Sequence, residues 1–180
     1  MALPLNAGTY VVDKMHSTVE FTVKHLGLAK VRGRFDDFDA TLTVGDGLAA
    51  TSVDATVAMA SVNTGNSDRD AHLAGTDFFG VETAPKMTFR SATIGGSANA
   101  YKLAGELTIR GITKPVTLDV EFNGQETNPF TKGTHIGFSA TGEISRGDFG
   151  ISFNVPLGGD AFMVSDKVKI ELELEFVPAA

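Results

Sequence analysis

The sequence contains no cysteine in 180 residues, and long apolar runs are also missing. Without cysteine there is no disulfide framework, no thiolate catalysis and no cysteine-ligated zinc or iron–sulfur site. No stretch approaches the roughly 18 apolar residues of a membrane span, so we expect no stable membrane insertion. Residues 1–6 lack the basic and apolar regions of a secretory signal. We therefore expect a cytoplasmic location, or a periplasmic one if a native signal was removed.

Basic residues are outnumbered, with 15 Lys and Arg against 22 Asp and Glu and a formal net charge of −7. Nucleic-acid binding needs clustered Lys and Arg to neutralise phosphates, so nucleic acid is excluded as a partner. An anionic membrane surface is disfavoured for the same reason. Apolar residues make up 42 % and charged residues 21 %, which is typical of a folded protein, and residues 1–180 are long enough for a single domain with a sizeable core.

Helical periodicity is scarce, whereas alternation of apolar and polar residues occurs along most of the chain. In the last segment, Val168, Ile170 and Leu172 alternate with charged residues, which is the period-two pattern of a half-buried strand. Within residues 30–44 the pattern resumes after Asp36 and Asp37, which predicts a β-bulge. The patterns predict nine strands, near 9–13, 17–26, 30–44, 52–64, 86–94, 100–110, 115–123, 133–146 and 166–177.

Two segments depart from this alternation. Residues 66–75 begin with a capping residue and early acids, carry Ser67 and Asp70 at the spacing of a capping box, and end at Gly75. They predict a helix of about two turns. Residues 156–165 are rich in glycine, and another turn of helix stays open there.

The length of the strands favours a closed barrel over a sandwich. Several run ten or more residues, roughly 33 Å, whereas about 5–6 residues is usual for a strand. The fold class is therefore all-β: an extended antiparallel lipocalin-like β-barrel of about eight strands with one or two short helices. Such a barrel has room inside for one small ligand.

The inward positions are aromatic and aliphatic, including eight of the 13 phenylalanines. A lining without hydrogen-bonding groups would strip a sugar or nucleotide of water without replacement, whereas a hydrocarbon chain loses nothing. A solidly packed core is the alternative for the same pattern. The predicted cavity lining is Phe21, Val23, His25, Phe35, Phe38, Leu42, Val57, Phe89, Leu103, Leu107, Phe122, Phe138, Ile144 and Phe176.

Polar residues at strand ends predict a mouth that would hold a ligand head group. The predicted mouth residues are His16, Arg69, Asp70 and Arg146, with His25 partway down the cavity. The alternatives are surface histidines, helix capping by Asp70, and a structural ion pair for Arg146. No histidine spacing matches a metal motif, no nucleophile elbow occurs, and no inward carboxylates are paired. The sequence thus predicts neither a catalytic nor a metal site.

Several ordered motifs resemble the YceI-like family of polyisoprenoid-binding proteins, over about residues 9–177. The motifs are YVVD at 10–13, HSTVEFTVKH at 16–25, VRGRF at 31–35, SVNTG at 61–65, RD at 69–70, HL at 72–73, DFF at 77–79, PKMTF at 85–89, GELTIRGITKPV at 105–116 and RGDFG at 146–150.

The resemblance implies a lipocalin-like barrel holding a long isoprenoid, such as a polyprenyl chain or an isoprenoid quinone, without required cofactors and without catalysis. We therefore expect a polyisoprenoid lipid as partner, for carriage, storage or metabolism. Two other functions stay open: an enzyme acting on a bound hydrophobic substrate through its histidines, and a stress or interaction module with a dry core. A homodimer through residues 158–163 also stays open, whereas the charged outer face of 168–176 disfavours edge-to-edge association.

Overall fold

The computed structural model describes residues 2–180 and contains thirteen β-strands and one α-helix in that range. The strands are β1 (Gly8–Val12), β2 (Thr18–His25), β3 (Ala29–Phe35), β4 (Phe38–Gly45), β5 (Gly47–Ala58), β6 (Val62–Asn63), β7 (Lys86–Ser97), β8 (Ala100–Ile109), β9 (Ile112–Thr127), β10 (Thr134–Ser145), β11 (Pro156–Gly158), β12 (Ala161–Phe162) and β13 (Lys167–Pro178). The helix α1 spans Ser67–Ala74. No helix of the described chain is both long and apolar enough to cross a membrane.

Eight strands form a closed ring in the order β1, β4, β5, β7, β8, β9, β10 and β13, and the β1–β13 pairing closes it. All of these neighbours are antiparallel. β13 also pairs with β2 along the same edge as β1, and β3 and β6 continue outward from β2. The predicted all-β lipocalin-like barrel is confirmed.

Alternation positions the side chains of β13 as the sequence predicts. Leu172, Leu174 and Phe176 face the interior, where Phe176 is only 3 % exposed, while Glu171 and Glu173 lie on the outer face. An apolar side chain that is fully buried contributes about 1.5–3 kcal/mol to stability. The period-two pattern therefore fixes which face of each long strand builds the barrel interior.

The predicted bulge in residues 30–44 is wrong, because the chain breaks there into two strands. β3 ends at Phe35 and β4 begins at Phe38. β3 pairs with β2 and β6, whereas β4 pairs with β1 and β5, so the chain changes partners at Asp36 and Asp37. The predicted strand 52–64 is divided for a similar reason, by a 3-10 turn at Met59–Ser61.

The predicted helix is confirmed, although the capping differs from the expected box. The side-chain oxygen of Asn66 accepts a hydrogen bond from the Arg69 amide at 2.9 Å, so Asn66 is the N-cap. Asp70 points back to Thr64 instead, accepting from its amide at 2.9 Å and from its hydroxyl at 2.6 Å. Asp70 therefore anchors the helix to the preceding segment.

The turn of helix that the sequence left open in 156–165 does not form, because this segment forms the small β11–β12 hairpin. Its turn contains Gly158 at φ +106° and Gly159 at φ +59°, conformations that favour glycine and prevent a helix. The hairpin lies beside the β2–β3 turn, where the Leu26 amide donates to the Met163 carbonyl at 2.8 Å.

One end of the barrel is covered by non-strand segments, and we call it the mouth end. β2, β5, β8 and β10 finish there, and β7 and β13 begin there. Arg110 in the β8–β9 turn joins two covering segments, since its Nη1 donates to the carbonyls of Phe78 at 2.9 Å and Gly150 at 3.2 Å. The cover is therefore attached to the barrel wall.

Candidate functional site

The barrel encloses a cavity of about 490 Å³. Inward side chains of the strands form its wall, as Ile170, Leu172 and Leu174 do on β13. The lumen is therefore hollow and is not filled by side chains from end to end. Its volume lies within the roughly 300–1,000 Å³ typical of small-molecule sites.

Thirteen of the fourteen residues predicted to line a cavity do border it, although ligand binding by them stays a prediction. They are Phe21, Val23, His25, Phe35, Phe38, Leu42, Val57, Phe89, Leu103, Leu107, Phe138, Ile144 and Phe176. Phe122 is the exception, and its placement in the lining is wrong. It is the cross-strand partner of Phe138 and faces the same side of the sheet, with ring centroids 5.5 Å apart, so Phe122 packs inside the barrel beside the lining without bordering the cavity.

The lining is apolar over most of its surface, and its aromatic rings form connected groups. Phe35 packs between Phe21 and Phe79, with ring centroids 5.6 and 5.9 Å away. A polar ligand buried against this wall would lose hydration without gaining partners, at a cost of about 2–7 kcal/mol per unpaired amide or hydroxyl group. The wall therefore selects for a hydrocarbon.

The alternation analysis missed the part of the lining that comes from the covering segments. Met59 and Phe149 border the cavity at 2 % and 1 % exposure, and Phe78 and Phe79 follow α1 as an adjacent pair. Neighbouring apolar residues in a loop show no period of two, so strand periodicity cannot find them. The signal that could have found them is the placement of large apolar side chains in a segment without a predicted strand.

Arg69 is held at the mouth by Thr64. Its Nε donates to the Thr64 hydroxyl at 2.7 Å and its Nη2 donates to the Thr64 carbonyl at 2.8 Å. Thr64 is in turn fixed by Asp70, which does not itself border the cavity. Within residues 2–180, no carboxylate lies in ion-pair range of Arg69, and its Nη1 donates to no described protein group. Arg69 therefore offers an oriented cation at the cavity mouth.

His72 lies beside Arg69 on α1 and also borders the cavity. Its ring contacts Phe78 and Phe153 edge-on, each with centroids 5.1 Å away, and its Nε2 is 2.9 Å from the Asp77 carboxylate. This fixed orientation makes His72 a second polar group at the mouth, which the sequence placed on the helix without assigning it a role.

Arg146 borders the cavity, but four of its five guanidinium N–H groups are occupied by the protein. The guanidinium donates to the carbonyls of Ser165, Ile151 and Phe153 at 2.9 Å and of Val164 at 3.3 Å. Burial lowers the pKa of Arg146, with the charge of nearby Asp166 opposing that shift. Arg146 thus pins the covering segments together, and the expected ion pair is replaced by backbone carbonyls.

The two histidines of the opening motif lie in places other than those expected. His25 borders the cavity but is exposed at the rim, so its placement partway down the cavity is wrong. His16 lies before β2, at the opposite end of that strand, and does not border the cavity. His16 Nδ1 is 2.8 Å from Asp13, whose hydrogen bond and charge raise the pKa of His16. His16 is therefore wrong as a mouth residue, and it cannot act jointly with His25 on one substrate.

A protein-family model described as the YceI-like domain matches residues 10–176. The chain belongs to the YceI-like family. The UPF0312 proteins of Staphylococcus aureus strains MSSA476 and N315 are each 40 % identical to it over 169 residues, covering 93 % of this chain and 96 % of the relative. The resemblance of the motifs is thereby confirmed at the level of the family.

Several solved structures share the barrel. Burkholderia cenocepacia BcnA superposes with a TM-score of 0.78 at 27 % identity, covering 91 % of this chain and 98 % of its own. The Campylobacter jejuni YCEI protein gives 0.73 at 33 % identity, covering 87 % and 90 %. A polyisoprenoid binding domain from Saccharophagus degradans gives 0.68 at 16 % identity, covering 97 % and 100 %, which shows a common fold.

Proposed function

We propose that this YceI-like protein binds a long-chain isoprenoid lipid, with the tail inside the barrel and the head group at the mouth. The observation that carries the proposal is the apolar cavity of about 490 Å³, which borders Arg69 and His72 at one end. The domain from Saccharophagus degradans, which has the same fold, is named as a polyisoprenoid binding domain, and this supports the same class of ligand here. The protein would serve as a carrier or store that shields the tail from water.

The tail would supply most of the affinity. Each buried CH₂ contributes about 0.8 kcal/mol, so even a few isoprene units outweigh a single hydrogen bond. Ordering a flexible chain offsets part of this gain. One or two hydrogen bonds to the head would add about 1–3 kcal/mol and would set its orientation.

The head group is expected to carry a hydrogen-bond acceptor, because Arg69 has only donors. A quinone carbonyl and a polyprenyl phosphate both satisfy this requirement. Nη1 of Arg69 and the second N–H of Nη2 are the donors available to them, since Nε and one N–H of Nη2 already bind Thr64. We propose an isoprenoid quinone or a polyprenyl chain with an oxygen head as the ligand.

An apolar rim gives the tail a path into the cavity. Leu28 in the β2–β3 turn is 85 % exposed and Phe162 in the β11–β12 hairpin is 52 % exposed. Met163, next to Phe162, borders the cavity and holds the Leu26 amide through its carbonyl. A tail leaving a lipid phase would cross this rim without exposure of its whole length to water.

The test is extraction of the purified protein with organic solvent, followed by mass spectrometry. Protein produced in a host rich in quinones should release an isoprenoid lipid in an amount approaching one molecule per chain. Delipidated protein should take up added polyprenol or isoprenoid quinone. An extract without isoprenoid, combined with no uptake of either added lipid, would overturn the proposal.

A further inference from the structure

Four metal-ligating side chains from distant parts of the chain converge on the outer wall of the barrel. Asp13 and His16 lie in the β1–β2 connection, His135 is near the start of β10, and Glu175 is near the end of β13. One ligand atom each of Asp13, His135 and Glu175 lies within 4.8 Å of the others. His16 Nδ1 joins them, at 2.8 Å from Asp13 and 3.8 Å from Glu175. We call these four residues the seam cluster.

The backbone brings these groups together where β13 changes partners. β13 pairs with β2 as far as Glu173 and with β1 from Phe176 onward, so residues 13–17 arch over Glu175. The Asp13 amide donates to the Glu175 carbonyl at 2.7 Å, and the Glu175 amide donates to the Ser17 hydroxyl at 2.9 Å. The cluster is therefore positioned by the barrel closure itself.

Burial leaves the cluster accessible from one side. The side chains of Asp13 and His135 are each 19 % exposed and that of Glu175 is 31 % exposed, whereas His16 is 58 % exposed. Three groups are thus fixed in the wall and the fourth lies over them from solvent. This arrangement would admit a small ion and still hold it with ordered ligands.

The charges of the cluster favour a cation. Among the described residues, no lysine or arginine forms an ion pair with Asp13 or Glu175, whose only such partners are His16 and His135. When both imidazoles are neutral, the cluster carries two negative charges. A divalent cation would neutralise them and accept a lone pair from each Nδ1.

We propose that the seam cluster binds one divalent first-row transition metal ion, with Zn²⁺ as the ion that fits best. Two imidazole nitrogens and two carboxylate oxygens form a ligand set that suits Zn²⁺, whose bonds to them are about 2.0–2.2 Å long. Tetrahedral ligands at that length lie about 3.3 Å apart. Asp13 lies 2.8 Å from His16 Nδ1 and 4.0 Å from His135 Nδ1, and Glu175 lies 3.8 Å from His16 Nδ1, so these three distances fall on both sides of that value. The group of ligand atoms within 4.8 Å of one another does not include His16, whose exposed side chain would turn toward the ion on binding.

The ion would tie the β1–β2 connection to β10 and β13 and would stabilise the closed barrel. His135 Nδ1 now hydrogen-bonds Glu175 Oε1, and His16 Nδ1 bonds Asp13. Metal binding would replace these hydrogen bonds and release the protons that the imidazoles carry. The site does not border the cavity, so it is independent of the proposed lipid binding.

The test is calorimetric titration of protein without a histidine tag with ZnCl₂. We expect one ion per chain at micromolar concentration and a rise in the melting temperature. The double variant His16→Gln, His135→Gln should lose affinity by about tenfold or more, since even supporting groups cost 10–100-fold. The matched double variant His25→Gln, His72→Gln also loses two histidines, but these lie at the mouth and not in the seam cluster. It should bind Zn²⁺ with the affinity of the unmodified protein.

A Co²⁺ spectrum of the unmodified protein keeps the test decisive if the first double variant fails to fold. Tetrahedral coordination by nitrogen and oxygen should give intense visible bands that Zn²⁺ abolishes and excess Mg²⁺ does not. Failure to bind either ion would overturn the proposal and leave the cluster as a hydrogen-bonded network. Zn²⁺ binding that survives in a folded His16→Gln, His135→Gln variant would overturn it as well.

Discussion

Arg146 shows how one buried cation organises the mouth. It is 6 % exposed, and its guanidinium donates hydrogen bonds to four backbone carbonyls in segments 151–153 and 164–165. These segments lie outside the strands, so their carbonyls need donors other than a neighbouring strand. The sequence predicts this residue at the mouth because it follows a strand. Its partners could not be predicted, because every residue has a backbone carbonyl and the sequence does not show which carbonyls Arg146 reaches. The contacts that the structure shows for Arg146 are therefore structural, and its contact with a ligand head group stays a prediction.

Replacement of Arg146 should therefore reduce stability more than that of other arginines. Arg146→Met removes the guanidinium donor from the buried carbonyl of Ile151 and the part-buried carbonyls of Phe153 and Ser165, and we expect a loss of about 3 kcal/mol in the free energy of unfolding. Arg90→Met is the matched control, since Arg90 is 82 % exposed and should change stability by less than about 0.5 kcal/mol. Urea denaturation measures both, and equal losses would contradict the assignment.

Arg69 should affect ligand binding and leave stability nearly unchanged. Arg69→Gln removes the donor Nη1, and we expect affinity for an isoprenoid quinone to fall by about tenfold, which corresponds to about 1.4 kcal/mol. Affinity for the same tail without an oxygen head should not change. Arg90→Gln serves as control in the same fluorescence or calorimetric titration. An equal loss of affinity for the ligand with the oxygen head and the ligand without it would show that Arg69 does not contact the head.

Asp166 gives the mouth a dependence on pH. Its carboxylate accepts hydrogen bonds from the Ser145 hydroxyl and from the Gly147 amide, and these, with the charge of Arg146, lower its pKa. Because the folded-state pKa lies below the ordinary value of 3.8, its contribution is complete above that pH and is lost as the pH falls through the folded-state pKa.

We expect the unmodified protein to lose more stability between pH 5 and pH 3 than Asp166→Asn, because the amide does not titrate. Urea denaturation at both pH values compares the two proteins, and other carboxylates contribute equally to each. An identical loss of stability in the two proteins would mean that ionisation of Asp166 does not stabilise the folded state.

Among the elements, the long strands could be predicted from the sequence, but the points at which the chain changes its pairing partners could not. β2, β10 and β13 follow from alternation, because each keeps one face inward along its whole length. The break at Asp36 and Asp37 is invisible to periodicity, since it reflects which neighbour each strand pairs with. α1 was predictable from its cap and its final glycine, whereas its role in covering the cavity depends on tertiary packing.

Loss of the N-cap should loosen α1 alone. Asn66→Ala removes the bond to the Arg69 amide, which costs about 0.5–2 kcal/mol in helix stability. Hydrogen exchange should become faster for amides at the end of α1, such as that of Ala74, while amides in the β8–β9 ladder keep their protection. Faster exchange spread evenly over the barrel would contradict a locally stabilised cover.

At the scale of the whole molecule, the decisive property is a closed barrel with a hollow apolar lumen. The sequence predicted the closure and most of the lining, because strand length and inward phenylalanines are visible in it. It did not predict the seam cluster, since Asp13, His135 and Glu175 are far apart in sequence and meet only where β1 and β2 share β13.

The most direct measurement of the central claim fills the lumen and compares lipid binding. Ala140 faces the cavity on β10, and the adjacent Thr141 lies exposed on the outer face. Ala140→Phe should reduce stoichiometric binding of an isoprenoid quinone by at least tenfold, with the barrel still folded by circular dichroism, whereas Thr141→Phe should bind like the unmodified protein. Full quinone binding by a folded Ala140→Phe variant would contradict the placement of the tail inside the barrel.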